Sequence, residues 1–189
     1  GFVDNAAVVI QTSADTNADG ELLIDAGTDG AVGGTLSITA TTGNITQGQV
    51  LAVTGASTFV VGATGSNIVL DHASNAFSNS VTMKAGTSGN LAFGNIGFVD
   101  NAAVVIQTSA DTNANGELLI DGSTDGVVGG TLSIKANGDI TQNIDLAVAG
   151  TTTLEAGSNA ITLNRPDNNF STVIITSGGD VAITDINAI

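Results

Sequence analysis

The run Asp15-Thr16-Asn17-Ala18-Asp19-Gly20-Glu21 sets side-chain oxygens at alternate positions around a glycine, and it returns as Asp111-Thr112-Asn113-Ala114-Asn115-Gly116-Glu117. Alternating oxygens around a tight turn are what a hard cation such as Ca2+ requires, so calcium is the one cofactor these residues suggest. The pattern follows the first half of an EF-hand loop and departs in the second. The twelfth position holds Ala26 and Gly122, while Asp25 and Asp121 come one residue early. The same Asn, Asp and Gly residues also make a corner with no ion, because they tolerate left-handed backbone. The candidate ligands are thus Asp15, Asn17, Asp19 and Glu21 with Asp111, Asn113, Asn115 and Glu117, and the plain corner stands beside the calcium reading. The G-G-x-G-x-D signature of calcium β-rolls is absent.

Little else in the chain has the makings of catalysis. His72 is the one imidazole, and its neighbour Asp71 would point to the opposite face of a strand, so an exposed turn residue is expected there. Arg165 takes the place of His72 in the second copy. The three cations, Lys84, Lys135 and Arg165, sit at unmatched positions, which does not suit proton abstraction from an acidic polysaccharide. The Thr-rich runs share no common register, which argues against an ice-binding face. No catalytic residue and no enzyme activity are expected.

What must position these motifs is a repeat. Residues 1–40 and 97–136 agree at 35 of 40 positions at a spacing of 96. Beneath that period lies a shorter one of roughly 23 residues, marked by Asn, Asp or Glu before an apolar tetrad. The marks are Glu21, Asn44, Asn67, Asn90, Glu117, Asp139, Asn159 and Asp180. Between them run short alternating stretches such as Val50–Val53, Thr58–Val61 and Val81–Met83, with one face turned inward. The absence of Trp, Tyr and Cys and the excess of β-branched residues favour an all-β chain without disulfides.

These units predict a β-solenoid of about eight turns, four to each 96-residue copy and on the order of 40 Å long. The blocks 1–96 and 97–189 read as one continuous stack, since Leu91–Phe98 is strand-like and no linker divides them. The motif Asp15–Glu21 would then recur every four turns along one side. A pair of immunoglobulin-like β-sandwiches is the competing architecture, disfavoured by the short strands and the missing core Trp or Tyr. Expected inward residues are Ile45, Leu51, Val53, Ile68, Leu70, Leu91 and Phe93, then Ile140, Leu146, Val148, Ile161, Leu163, Val181 and Ile183. Asn and Asp at the turn starts are expected to stack as an amide ladder that carboxylates interrupt.

A net charge of −15 argues against nucleic acid and acidic lipid as partners. No run approaches the roughly 20 apolar residues of a membrane helix. Residue 1 lies within repeat sequence, so an export signal would belong to a longer precursor. At the other end Ile186-Asn187-Ala188-Ile189 aligns with Ile96–Val99, close to a third copy. Uncapped end turns predict stacking of the chain on itself, end to end.

The phrases GNITQGQVLAVTGASTF and GDITQNIDLAVAGTTTLEAGSNAITL resemble the central repeats of filamentous-haemagglutinin-like exoproteins, most closely over residues 43–96 and 138–189. The resemblance implies a right-handed parallel β-helix shaft in a secreted bacterial surface adhesin or fibre. It implies an extracellular, cell-surface location. The alternative is a binding module whose acidic loops hold calcium or a glycan, with host or matrix glycans as partners.

Overall fold

The computed structural model describes residues 1–11, 21–24, 30–86, 91–107 and 116–187, with Glu21 described in its backbone only. These residues form short strands and no helix. In the first copy they are β1 (Phe2–Asp4), β2 (Val8–Gln11), β3 (Glu21–Leu23), β4 (Ala31–Val32), β5 (Leu36–Ala40) and β6 (Ile45–Gln47). There follow β7 (Ala52–Val53), β8 (Ser57–Val61), β9 (Ile68–Leu70), β10 (Ala76–Phe77) and β11 (Val81–Ala85). The second copy opens with β12 (Ile96–Asp100), β13 (Val104–Gln107), β14 (Glu117–Asp121), β15 (Val127–Val128) and β16 (Leu132–Ala136). It closes with β17 (Ile140–Gln142), β18 (Ala147–Glu155), β19 (Ile161–Leu163), β20 (Asn169–Ser177) and β21 (Val181–Ile183).

All the pairings between these strands are parallel. That excludes the immunoglobulin-like arrangement, whose sheets are antiparallel. Sheet one runs β1-β5-β8-β11-β14-β13-β17-β19-β21. Sheet two runs β3-β2-β6-β9-β12-β16-β18, with β15 beside the first residues of β18 and β20 on the far side of β18, and a short third sheet runs β4-β7-β10. Alternation sends every second side chain inward: in β11, Val81, Met83 and Ala85 are buried while Thr82 and Lys84 are half-buried. The result is one continuous apolar column through both copies, from Val8 and Ile10 to Leu163 and Phe170.

Successive layers are 20 to 24 residues apart where the chain is regular, as in Leu36 beside Ser57, Ser57 beside Val81 and Ile161 beside Val181. The circuits that carry the Asp/Asn motif are longer: Phe2 pairs with Ile38 and Phe98 with Ile134, a separation of 36 in each copy. The added length contains one more strand. In both copies it lies parallel to the strand before it, on the side away from the next layer, with Ile10 beside Leu22 and Ile106 beside Leu118. The backward step leaves β3 at the free end of sheet two, whereas β14 fills a slot between β11 and β13 in sheet one.

This step corrects the expected geometry. The chain visits sheet one at β1, β5, β8 and β11 and then enters the second copy at β12 in sheet two. One 96-residue copy is therefore three circuits and a further crossing, where four whole turns were expected. Each local pairing is kept, but every element of the second copy occupies the sheet opposite its counterpart. The two Asp/Asn motifs consequently lead into β3 on sheet two and β14 on sheet one, and do not recur along one side.

The side carrying the short strands changes as well. In the first copy these strands lie on the return from sheet two to sheet one, and in the second on the passage from sheet one to sheet two. Phe93, on the earlier passage from sheet one to sheet two, pairs with Val128 and starts the new column.

Thirteen of the fourteen expected inward positions lie in or against the core. Val181 does not: it is 45% exposed, while Leu91 and Ile183 are only partly buried. The reason is position, since β21 is the last strand of sheet one among the described residues. The large exposed apolar residues, Val3, Leu23, Ile174, Val181 and Ile186, all lie at the two ends of the stack. The expected alignment at the end of the chain also shifts. Val181 and Ile183 sit on Ile161 and Leu163 as Ile96 and Phe98 sit on Ile68 and Leu70, so β21 is the counterpart of β12.

Candidate functional site

Six of the eight candidate calcium ligands, Asp15, Asn17, Asp19, Asp111, Asn113 and Asn115, lie outside the described residues, and the side chain of Glu21 does too. Glu117 is described. It opens β14 and, by alternation with the inward Leu118 and Ile120, belongs to the outer face, yet it is only 4% exposed. Its Oε2 has no hydrogen-bond partner. A buried carboxylate oxygen without a partner is costly and is a position where a cation would be favourable. Among the described residues no group of three or more His, Asp or Glu side chains converges on a metal position.

The polar groups that the structure does bring together form two ladders along the stack. On the first, the Asn67 N–H donates to Asn44 Oδ1 (2.8 Å), the Asn95 N–H to Asn67 Oδ1 (2.6 Å), and the Thr131 N–H to Asn95 Oδ1 (2.8 Å). In the second copy the Ala160 N–H donates to Asp139 Oδ1 (2.8 Å). The ladder thus uses only an accepting oxygen, and Asp139 serves as well as Asn, contrary to the expectation that carboxylates break it. Asn95, not Asn90, supplies the third rung; Asn90 lies outside the described residues.

The second ladder is buried and was not anticipated. Gln47 and Asn75 exchange two amide hydrogen bonds (2.9 and 2.8 Å), the Leu51 N–H donates to Asn75 Oδ1 (2.9 Å), and Asn75 Nδ2 donates to the Leu70 carbonyl (3.1 Å). The second copy repeats every bond. Gln142 and Asn168 exchange amide bonds (2.7 and 2.8 Å), the Leu146 N–H donates to Asn168 Oδ1 (2.9 Å), and Asn168 Nδ2 donates to the Leu163 carbonyl (3.0 Å). One layer on, Asp100 accepts the Phe77 N–H (3.0 Å) and Asp185 the Phe170 N–H (2.9 Å). Burial pushes the Asp100 carboxyl up, against two backbone N–H bonds that pull it down, and its Oδ2 is unpartnered. The sequence signal was the Asn-x-Phe triplet, Asn75-Ala76-Phe77 and Asn168-Asn169-Phe170, at the same distance after each tetrad.

The three cations all pair between layers. Lys84 meets Asp121 at 2.9 Å across the junction of the copies, Arg165 meets Asp145 at 2.8 Å, and Lys135 meets Glu155. His72 is half-buried; its backbone N–H donates to Gln47 Oε1 (3.4 Å) and its Nδ1 accepts the Ser74 backbone N–H (3.2 Å), so it is held in the turn where an exposed residue was expected.

One groove of about 500 Å3 lies beside the second copy, lined in part by Thr124, Asp125, Asp145, Arg165 and Asp167. Desolvation and the nearby Asp121 raise the Asp125 carboxyl, with Lys84 opposing them. The first copy holds Val50, His72 and Ser74 in place of Asp145, Arg165 and Asp167. This charged groove therefore belongs to one copy and not to the repeat.

No curated protein and no solved structure matches the chain. A model of repeats of unknown function (DUF5649) matches residues 12–84 and again residues 112–177, about three quarters of the chain. The two matches fall on the two copies, and the chain belongs to that family of repeats, DUF5649.

Proposed function

We propose that this chain is a non-catalytic structural shaft segment of a secreted bacterial surface fibre or adhesin, a closed right-handed parallel β-helix working outside the cell. The observation that carries the reading is the uninterrupted parallel pairing through both copies: β9 to β12 to β16 in sheet two and β11 to β14 to β13 in sheet one. The resemblance of the turn phrases to filamentous-haemagglutinin-like repeats supports it, as does the polar inventory, which is spent on bonds between layers. A shaft must resist extension and unfold as a unit. Pulling the chain from its two ends in an optical trap is expected to give one cooperative rupture that releases the whole length. Two separate ruptures, each releasing half, would describe beads on a string and defeat the proposal.

A second reading, a calcium- or glycan-binding module of an extracellular adhesin, is favoured by the buried unpartnered oxygen of Glu117. Here calcium would raise the melting temperature of the wild-type chain by several degrees, and Glu117→Gln would abolish the increment. Equal melting in calcium and in chelator removes this reading and leaves the shaft.

A further inference from the structure

The charged groove of the second copy is built from three successive layers, by the turns at 124–127, 143–147 and 165–167. Backbone bonds fix their stacking: the Ala147 N–H donates to the Gly126 carbonyl (3.1 Å) and the Asn169 N–H to that of Leu146 (2.8 Å). The deeper lining is apolar. Leu146 is fully buried and Ile144 is 7% exposed, with Val127 and Ala147 half-buried beside them. In the first copy the place of Ile144 belongs to Gln49, 4% exposed, with both amide atoms unpartnered. The second copy exchanges that buried amide for an apolar surface.

The outer lining is charged, and part of it is already fixed in place. Arg165 Nε donates to Asp145 Oδ1 (2.8 Å), which ties two layers together and holds the guanidinium beside the groove. Among the described residues the two terminal nitrogens of Arg165 have no hydrogen-bond partner, and neither do the carboxylates of Asp125 and Asp167. The turn between Arg165 and Asp167 is stiff. Its corner is Pro166, the one proline of the chain, and the Asn168 N–H closes it on the Arg165 carbonyl (3.4 Å). A ring that fixes φ removes part of the ordering cost of binding. The groove thus offers two open acceptors and one open donor fork around an apolar surface, in about 500 Å3.

These groups narrow the ligand. A bare metal ion needs converging carboxylates, and among the described residues no such group is found. An anion is repelled by the open carboxylates of Asp125 and Asp167. An organic cation would cover the guanidinium nitrogens and leave them without acceptors. A polyhydroxylated ring answers both kinds of group, because each hydroxyl donates and accepts. We infer that the groove is a saccharide site that takes one uncharged pyranose unit of a glycan, with Arg165, Asp125 and Asp167 on its hydroxyls and Ile144 under its C–H face. The inference rests on the glycan-binding reading, to which it gives a place and a ligand class, and it needs no calcium. The first copy, with Val50, His72, Ser74 and Gln49 at these positions, does not share the site.

The test follows the amide NMR signals of the isotope-labelled full chain, in chelator, during titration with neutral tetrasaccharides of glucose, of galactose and of mannose. Spermidine and glucuronic acid serve as charged controls. At least one tetrasaccharide is expected to shift the signals of residues 124–127, 143–147 and 165–168 and to leave those of residues 48–54 and 72–78 in place. Arg165→His and Ile144→Gln put first-copy residues into the groove. Each should weaken that binding about tenfold, with the circular dichroism of the chain unchanged. If Ile144→Gln does not fold, the half-exposed Arg165→His decides alone. Binding that Arg165→His leaves at full strength overturns the inference, and so do groove signals that only spermidine or glucuronic acid moves. A tetrasaccharide that shifts signals elsewhere overturns this site and leaves the glycan-binding reading standing, whereas no shift with any of them removes both. The optical-trap result does not depend on these outcomes, so the shaft reading stands or falls separately.

Discussion

The two copies are closely similar sequences in opposite places. In the first, the strand opened by Phe2 lies in sheet one and that opened by Val8 in sheet two; in the second, their counterparts β12 and β13 have changed sheets. Strand pairing survives the exchange, and so do the Gln47–Asn75 and Gln142–Asn168 amide pairs. The difference teaches that the repeat encodes which strand lies on which, while the side of the stack is set by how many crossings precede it. The backward-stepping strand leaves that count unchanged, since β3 stays in the sheet of β2 and β14 in that of β13. At the start of the stack β3 ends a sheet; at the junction β14 supplies the only layer joining β11 to the second copy in sheet one.

The comparison can be broken most forcefully at the aromatic stack. Phe77 touches Phe59 at 6.4 Å edge-on and Phe98 at 5.5 Å, binding the first copy to the second. Phe77→Ala is expected to cost about 3–5 kcal/mol in chemical denaturation. Phe170→Ala, its counterpart without a ring above it, should cost roughly 1 kcal/mol less.

The buried amides test equivalence instead of difference. Asn75→Ala and Asn168→Ala each remove both amide bonds to the facing glutamine and leave a backbone N–H, that of Leu51 or Leu146, without its acceptor, and each should cost about 2–3 kcal/mol. A difference beyond about 1 kcal/mol between them would mean that the two ladders are not the same device.

A smaller effect of opposite sign is expected at Asp100. Burial raises its carboxyl above the usual value of 3.8, so the folded chain holds that proton more tightly than the unfolded chain does. The ionised side chain therefore lowers stability as pH rises from that value through the raised one, and the loss is complete above it. Asp100→Asn should stabilise the chain by about 1 kcal/mol at pH 7, and urea titrations should show the gain fading toward pH 4. The smallest effect belongs to Lys84→Ala. It removes the half-exposed ion pair across the junction and should cost no more than about 1 kcal/mol, vanishing in high salt.

Much of the fold was legible in the chain. Alternating β-branched runs with Gly and Asn corners identified short parallel layers, and the tetrads at Asn44, Asn67 and Asp139 marked true rungs. Face exchange was not legible, because two nearly matching sequences carry no mark of the sheet to which each is assigned. The extra strand was hidden for a related reason: Glu21-Leu-Leu and Glu117-Leu-Leu look like any other tetrad, and only pairing shows that they step back. The glycines after them did carry a signal. Gly30 and Gly126 adopt φ of +73° and +76°, and a Cβ there would lie 1.8 Å from the Val50 carbonyl oxygen and 2.3 Å from that of Asp145. The buried amides escaped because an inward Asn breaks the apolar pattern, and its partner Gln lies 26 to 28 residues away.

The direct test of the face exchange is a pair of engineered cysteines, in a chain that has none of its own. Val69 and Gly97 are register partners in sheet two, and a Cβ on Gly97 would lie 3.8 Å from the Val69 Cβ, within disulfide range. Mild oxidation should close the bridge rapidly and almost completely in Val69→Cys/Gly97→Cys, and should leave Thr82→Cys/Gly97→Cys open. Four whole turns per copy would instead place the strand of Gly97 on β11. Closure of the Thr82 pair, with the Val69 pair remaining reduced, would contradict the account.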